Sequence, residues 1–250
     1  MQIRTVDLDA LSQEKWVGLT TRSAVPDLAI RRAASEIVED VRMRGDEALV
    51  EYTERLDGLP SGTPLRVPAG EIRNALETID PDLRGSLEAA IRNVRAVHEP
   101  QRPLSDAVEP VSGVVVERRW SPLRRVGVYV PGGRATYPSS LIMGVVPAMV
   151  AGVGEVVVIS PAGPNGVDPT VLAAAGLLGV EEIYAIGGAQ GVAALAHGTE
   201  TVRPVDKIVG PGGPWVTAAK LAIYGECAVD LPAGPSEAVV VADASADPEV

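Results

Sequence analysis

The stretch RRVGVYVPGGRATYPSS, residues 124–140, runs from a strand signal at 126–130 straight into Pro131, Gly132 and Gly133. A short run dominated by Val and Tyr, with almost no polar interruption, is how a strand buried on both faces reads. Glycine directly behind it bares the main chain, either for a tight turn or for the close approach of a ligand. The pattern repeats downstream: short β-branched runs alternate with Ala-rich helical segments, the signature of β-α-β units and a parallel sheet. Strands are expected near 126–130, 155–159, 182–186, 207–209, 228–230 and 238–242, with helices near 140–151, 169–178, 190–196 and 215–224. Asp168 before Pro169, and Gly179 behind Leu178, give one of those helices a cap and a stop.

Upstream the period is helical. Over 27–44, Leu28, Ile30, Ala33, Ile37, Val38 and Val41 recur at 3.6-residue spacing among Arg31, Arg32, Glu36, Glu39 and Asp40, an amphipathic helix. Gly45 suits a left-handed turn at its end, and Asp46 is placed to cap a next helix whose buried stripe is Leu49, Val50 and Leu56. A third helix, over 81–98, offers Leu83, Leu87, Ile91 and Val94 to a core and is stopped by Pro100 and Pro103.

With 250 residues and 46% hydrophobic content, the chain can bury a sizeable core. A formal net charge of −11, without a dense Lys/Arg run, argues against nucleic acid or an anionic membrane as partner and points to small molecules or a second copy. The single cysteine, Cys227, excludes an internal disulfide. The opening MQIRTVDLDALSQEKW lacks the apolar core of a signal peptide, and apolar runs such as EVVVIS are too short to cross a bilayer, so a cytoplasmic location is expected.

Four bare loops follow strands: PGG at 131–133, GGAQ at 187–190, GPGG at 210–213 and PAGPSE at 232–237. In an open parallel sheet these leave the carboxyl ends of the strands along one edge, where ligands of doubly wound folds lie. Free N–H groups at the helix N-termini behind them favour anions such as phosphates. Any one loop by itself reads as an ordinary turn; four in series, with Gln190, Ser236 and Glu237 among them, shift the weight towards a site. Neither G-x-G-x-x-G behind a strand nor a P-loop is present, so the residues alone lead to a ligand-binding α/β domain.

Several segments resemble the histidinol dehydrogenase family: VRMRGDEALVEYTERLDG, NVRAVHEPQRP, RRVGVYVPGGRATYPSSLIMGVVPAMVAGV, IYAIGGAQGVAALAHGTETVRPVDKIVGPGG and VDLPAGPSEAVVVAD, in the family's order and spacing. The resemblance implies oxidation of L-histidinol to L-histidine, the last steps of histidine biosynthesis, by two molecules of NAD, with a zinc ion holding the substrate. It also implies a homodimer when full length and α/β domains that are incomplete relatives of the Rossmann fold, with aldehyde-dehydrogenase-like architecture and helices on both sheet faces. Position by position, Tyr129, Gln190 and Gly213 match residues that contact NAD, and Ser236 matches one that touches substrate. By the same likeness, 1–120 is a helical region of a first domain, 121–234 a Rossmann-like domain, and 235–250 a return to the first.

Two departures stand out. GPGG replaces the family's usual GPGN, so Gly213 lacks an Asn side chain that would hydrogen-bond the cofactor. DASADPEV reads as the opening of a helix, with Asp247 as cap and Pro248 in the first position, and then the sequence stops, as a fragment would. The family's metal-binding Gln and His and its Glu-His acid-base pair would follow, so no catalytic or zinc-binding residue is expected within 1–250, and the segment by itself is expected to be inactive. His98 and His197 read as structural or surface residues, Cys227 as a small buried thiol, and Asp230 and Glu237 as acids that either orient substrate or cap a helix or bind main-chain N–H groups. A paralogue oxidising another small polar alcohol, and a catalytically silent binding or assembly module, stay open as alternatives.

Overall fold

The structure, a computed structural model, describes residues 7, 11–20, 25–132, 135–163, 166–230, 240, 243 and 245–247. Helices come first: α1 Gln13–Thr20, α2 Leu28–Arg44, α3 Asp46–Tyr52, α4 Ala69–Thr78 and α5 Pro81–His98. Asp27 starts α2 by accepting the Ile30 N–H at 2.9 Å, and the helix buries Ala34, Ile37, Val38 and Val41 while Leu28, at its outer end, stays exposed. Gly45 ends it at φ 60. Asp46 does not cap α3 as expected: Gly45 is the cap residue, and the Asp46 N–H is taken by Glu200 Oε2 at 2.8 Å while Asp46 accepts from Thr201. A distant loop has replaced the local cap.

Only Leu49 of the stripe Leu49, Val50 and Leu56 is buried. Leu56 is displaced by a π-helical turn, Thr53–Asp57, that continues α3 and slips its phase, carrying Leu56 out to solvent and Asp57 inward. In α5 only Leu87 is fully buried, with Ile91 and Val94 half-buried against the core and Leu83 left exposed in the first turn.

Next comes an unforeseen antiparallel hairpin, β1 Asp106–Val111 and β2 Val114–Arg118, joined by Ser112 and Gly113 (φ 82) and exposed along its whole length. The sheet follows: β3 Arg125–Tyr129, α6 Pro138–Val150, β4 Glu155–Ile159, α7 Pro169–Leu177, β5 Ile183–Tyr184, α8 Gly188–His197, β6 Lys207–Val209, α9 Pro214–Ala222 and β7 Ala228–Val229. All five of these strands run parallel in the order β5-β4-β3-β6-β7. The strand expected at 238–242 lies outside the described residues except for Val240.

Two glycines show how the sheet is covered. A Cβ on Gly127 would lie 2.7 Å from Leu195 of α8, and one on Gly144 of α6 would lie 2.5 Å from Val128. Successive strand residues point to opposite faces, so α6 and α8 sit on opposite sides of β3, each drawn close by a missing side chain. The N-terminal helices add a second shell, α2 against α8 and α9, α4 against α7, α5 against α6. Residues 65–67 also line the outer edge of β5: Ala185 N–H donates to Leu65 O at 2.7 Å and Val67 N–H to Ile183 O at 2.9 Å.

At the amino ends of the strands sits an ion network. Buried Arg125 holds Glu182 with two hydrogen bonds, 2.7 and 2.8 Å, and Glu155 at 2.8 Å, while Arg203 reaches Glu155 at 2.6 Å. Arg125 pulls the Glu182 carboxyl down to about 2. That end of the sheet is tied shut, which leaves the opposite end for a ligand.

Candidate functional site

The chain winds outward from β3 through β4 to β5, then returns across the sheet to add β6 and β7 on the other side. The winding reverses between β3 and β6, and beyond their carboxyl ends lies the crevice where such folds bind ligands. Gly210, just past β6, has φ +117, and a Cβ there would come within 2.1 Å of Tyr129 O, so the two strand ends meet main chain to main chain. Both polar groups of Gly210 are held: its N–H donates to Asp230 Oδ2 at 2.8 Å, and its carbonyl accepts from Lys220 Nζ at 2.5 Å. Lys220 in turn pairs with Asp230 at 2.6 Å, so Asp230 serves the main chain.

Three concavities surround this edge. The largest, about 820 Å³, is an apolar groove between α6 and α9 with Met143, Pro147 and Leu221 in its walls. A second, about 310 Å³, lies by Thr136 and Asp168, whose side chains hydrogen-bond at 2.7 Å. The third, about 510 Å³, opens between α2, the π turn and the start of α8, with Tyr52, Arg55, Asp57, Gly188, Gln190 and Trp215 in its walls. The third cleft is the one lined by Gln190, whose buried amide oxygen has no partner among the described residues, and chemistry rather than size makes it the candidate.

Its inner wall is built around Asp57. The carboxylate accepts the Gly187 N–H at 2.7 Å and the Gln190 Nε2–H at 3.0 Å. Burial raises the Asp57 pKa, and those two donors pull it back. The position that the sequence left free for a phosphate, the N-terminus of α8, is thus filled by the protein's own acid. Tyr129 stands beside it, buried, its hydroxyl pushed up to about 12 by burial and facing the Gly188 N–H. Gln190 is fully buried, and its Oε1 has no hydrogen-bond partner among the described residues. Gly188 makes room for that oxygen: its φ is +56, and a Cβ would lie 2.4 Å from Oε1.

Of the residues singled out from sequence, Tyr129 and Gln190 therefore come together around Asp57. Gly213 caps α9 without a side-chain bond, exposed, two residues before Trp215 in the cleft wall. Ser236 and Glu237 lie outside the described residues. Sequence reading passed over Asp57, whose partner Gln190 is 133 positions away, and Trp215 and Lys220, which matter only once α9 is folded back onto the sheet. The one local hint was Asp57-Gly58, a turn signal at the end of a helical run.

His98 bonds Gln101 at 2.8 Å, and His197 is half-buried with its pKa lowered by burial. Cys227 is buried, its thiol raised to about 11 and donating to Val205 O at 3.4 Å. Among the described residues no three His, Cys, Asp or Glu side chains are grouped to hold a metal, and no helix is long and apolar enough to cross a membrane.

A family model described as histidinol dehydrogenase matches residues 20–250. The chain belongs to the histidinol dehydrogenase family. Among its relatives, the histidinol dehydrogenase of Rhizobium meliloti (strain 1021) is 46% identical over 251 residues, covering 100% of this chain and 58% of that protein. The histidinol dehydrogenase of Nocardia farcinica (strain IFM 10152) is 51% identical over 220 residues, 85% of this chain and 49% of the relative. A crystal structure of histidinol dehydrogenase from Elizabethkingia anophelis superimposes with a TM-score of 0.82 at 34% identity, covering 96% of this chain and 55% of that one. The α/β fold, with its parallel sheet flanked by helices, is thus the histidinol dehydrogenase fold, and the chain spans about half the length of the relatives it matches.

Proposed function

We propose that this chain forms the cofactor side of an NAD-dependent enzyme that oxidises L-histidinol to L-histidine through the aldehyde. The observation that supports the reading is that Tyr129 and Gln190 come together around Asp57 at the inner wall of a polar cleft in a histidinol dehydrogenase fold, with a buried amide oxygen that has no partner among the described residues. A dinucleotide bound there supplies the hydride acceptor. The chain's own part is to bind and orient it: Trp215 gives apolar surface, Tyr129 is assigned to the cofactor from beside Asp57 and Gly188, Gln190 Oε1 gives an acceptor, Arg55 a cation at the cleft mouth, and the Gly213 end of α9 free N–H groups for a phosphate. Ser236 is assigned to the substrate side.

The described residues do not fit zinc, since no trio of donors is gathered. The boundaries 1–120, 121–234 and 235–250, the homodimer and a cytoplasmic location belong to the same proposal.

Isothermal titration of the full-length protein with NAD, followed by NADH release on adding histidinol, tests the reading. Binding in the micromolar to millimolar range and turnover of histidinol are expected. Gly213 in place of Asn favours a second reading, a paralogue for a different small polar alcohol. NADH from a simple diol but none from histidinol would establish that reading and end the first.

A further inference from the structure

We propose that Asp57 is a positioning residue that fixes the amide of Gln190 with its oxygen toward the ligand cleft, so that the site selects a hydrogen-bond donor on the cofactor. The inference deepens the NAD reading and rests on it.

Gln190 is symmetric in shape but not in polarity: one end of its amide donates and the other accepts. Fully buried, it cannot let water settle which end points where. Asp57 decides. An ionised carboxylate only accepts, so the amide end lying 3.0 Å from Asp57 Oδ2 must be the NH₂. The same Oδ2 also takes the Gly187 N–H at 2.7 Å, at the head of α8, where the helix dipole favours a negative charge. Oε1 is consequently turned away from Asp57, over Gly188, with no protein donor among the described residues to meet it. A buried acceptor left in this state favours a ligand that brings a donor and disfavours one that brings a second acceptor. On a dinucleotide the available donors are the carboxamide N–H and the ribose hydroxyls.

The fold goes out of its way to place this acid. Asp57 is the last residue of the π turn that slips the phase of α3, and without that slip the carboxylate would not face inward. Thr53 stabilises the distortion, its buried hydroxyl donating to Leu49 O at 2.7 Å. Gly188 removes the side chain that would otherwise occupy the amide oxygen's space.

The test is a pair of variants of the full-length protein, the second restoring the acceptor that the first removes, read by NAD titration with melting temperature as the folding control. In Asp57→Leu no acceptor remains, so nothing holds the Gln190 amide in one sense and it can present its NH₂ to the ligand. NAD affinity is expected to fall about tenfold or more. In Asp57→Asn the side-chain oxygen takes the place of Oδ2 and accepts from both the Gly187 N–H and the Gln190 Nε2–H, so affinity is expected within about threefold of the unaltered protein. A role that rested on the charge of Asp57 alone would not give that recovery.

NAD binding unchanged in Asp57→Leu overturns the inference, as does an Asp57→Asn variant that binds no better than Asp57→Leu. If Asp57→Leu does not fold, Asp57→Asn decides alone, and its failure to bind or to fold counts against the inference because the hydrogen-bond inventory is conserved. Absence of NAD binding by the unaltered protein overturns the cofactor reading as well, which separates the two failures. Titration with nicotinic acid adenine dinucleotide identifies the donor: weaker binding assigns it to the carboxamide, equal binding to a ribose hydroxyl.

Discussion

At Gly213 the family's usual Asn side chain is missing, and the surroundings say how easily it could be restored. No atom lies within 4 Å of where a Cβ would go, and φ is −70, so any residue fits. Asn there has two uses, capping α9 or reaching the cofactor. Gly213→Asn is therefore expected to tighten NAD binding up to about tenfold, the worth of one hydrogen bond of roughly 0.5–1.5 kcal/mol. A cap alone would add only a few tenths of a kcal/mol and raise Tm by about 1 °C. Calorimetric titration alongside thermal melting separates the two: a higher Tm with an unchanged Kd means that the side chain serves the helix. Sequence could raise this question because the departure is local. It could not raise that of Asp57, since nothing near residue 57 announces that it will meet the start of α8.

Among the elements, the parallel sheet and its helices were legible because each carries its own period: β-branched runs for β3, β4 and β6, Ala-rich stretches for α7 and α8. What escaped lacked such a mark. β1, with Asp106, Glu109 and Pro110, buries nothing, so no alternation betrays it. The α4 helix rests on two buried residues, Ile72 and Ala75, behind a Pro68 cap with no side-chain bond. β5 is shorter than expected, Ile183–Tyr184, with residues 65–67 hydrogen-bonded along its outer edge. The strand starts offer a test of their own. Glu182 sits at about 2 in the folded state against an ordinary 4.5, so its ion pair with Arg125 contributes fully above pH 4.5 and fades as pH falls toward 2. Glu182→Gln is expected to cost about 2–4 kcal/mol at pH 7, below the value for a fully buried pair because its side chain keeps 17% exposure. Urea unfolding at pH 7, 4 and 3 should show the gap between variant and parent narrowing; a gap independent of pH would refute the assignment.

For the molecule as a whole, opposing surface features compete. A net charge of −11 keeps copies apart, while the groove between α6 and α9 and the hairpin residues Val108, Val115 and Val116 offer apolar area to anything that will cover it. Residues 1–250 produced alone are expected to self-associate and to enhance the fluorescence of anilinonaphthalene sulfonate, more so at 0.5 M salt, where the screening length shrinks to about 4 Å. Light scattering that reports a monomer at both low and high salt would contradict this. The stretch at 65–67 bears on the same balance from the other direction. By laying its main chain along β5 it occupies hydrogen-bonding groups that would otherwise form a raw margin. A protease that clipped the chain ahead of residue 68 and freed that stretch would leave the β5 edge open to pairing with another chain, so the damage would favour association over simple unfolding.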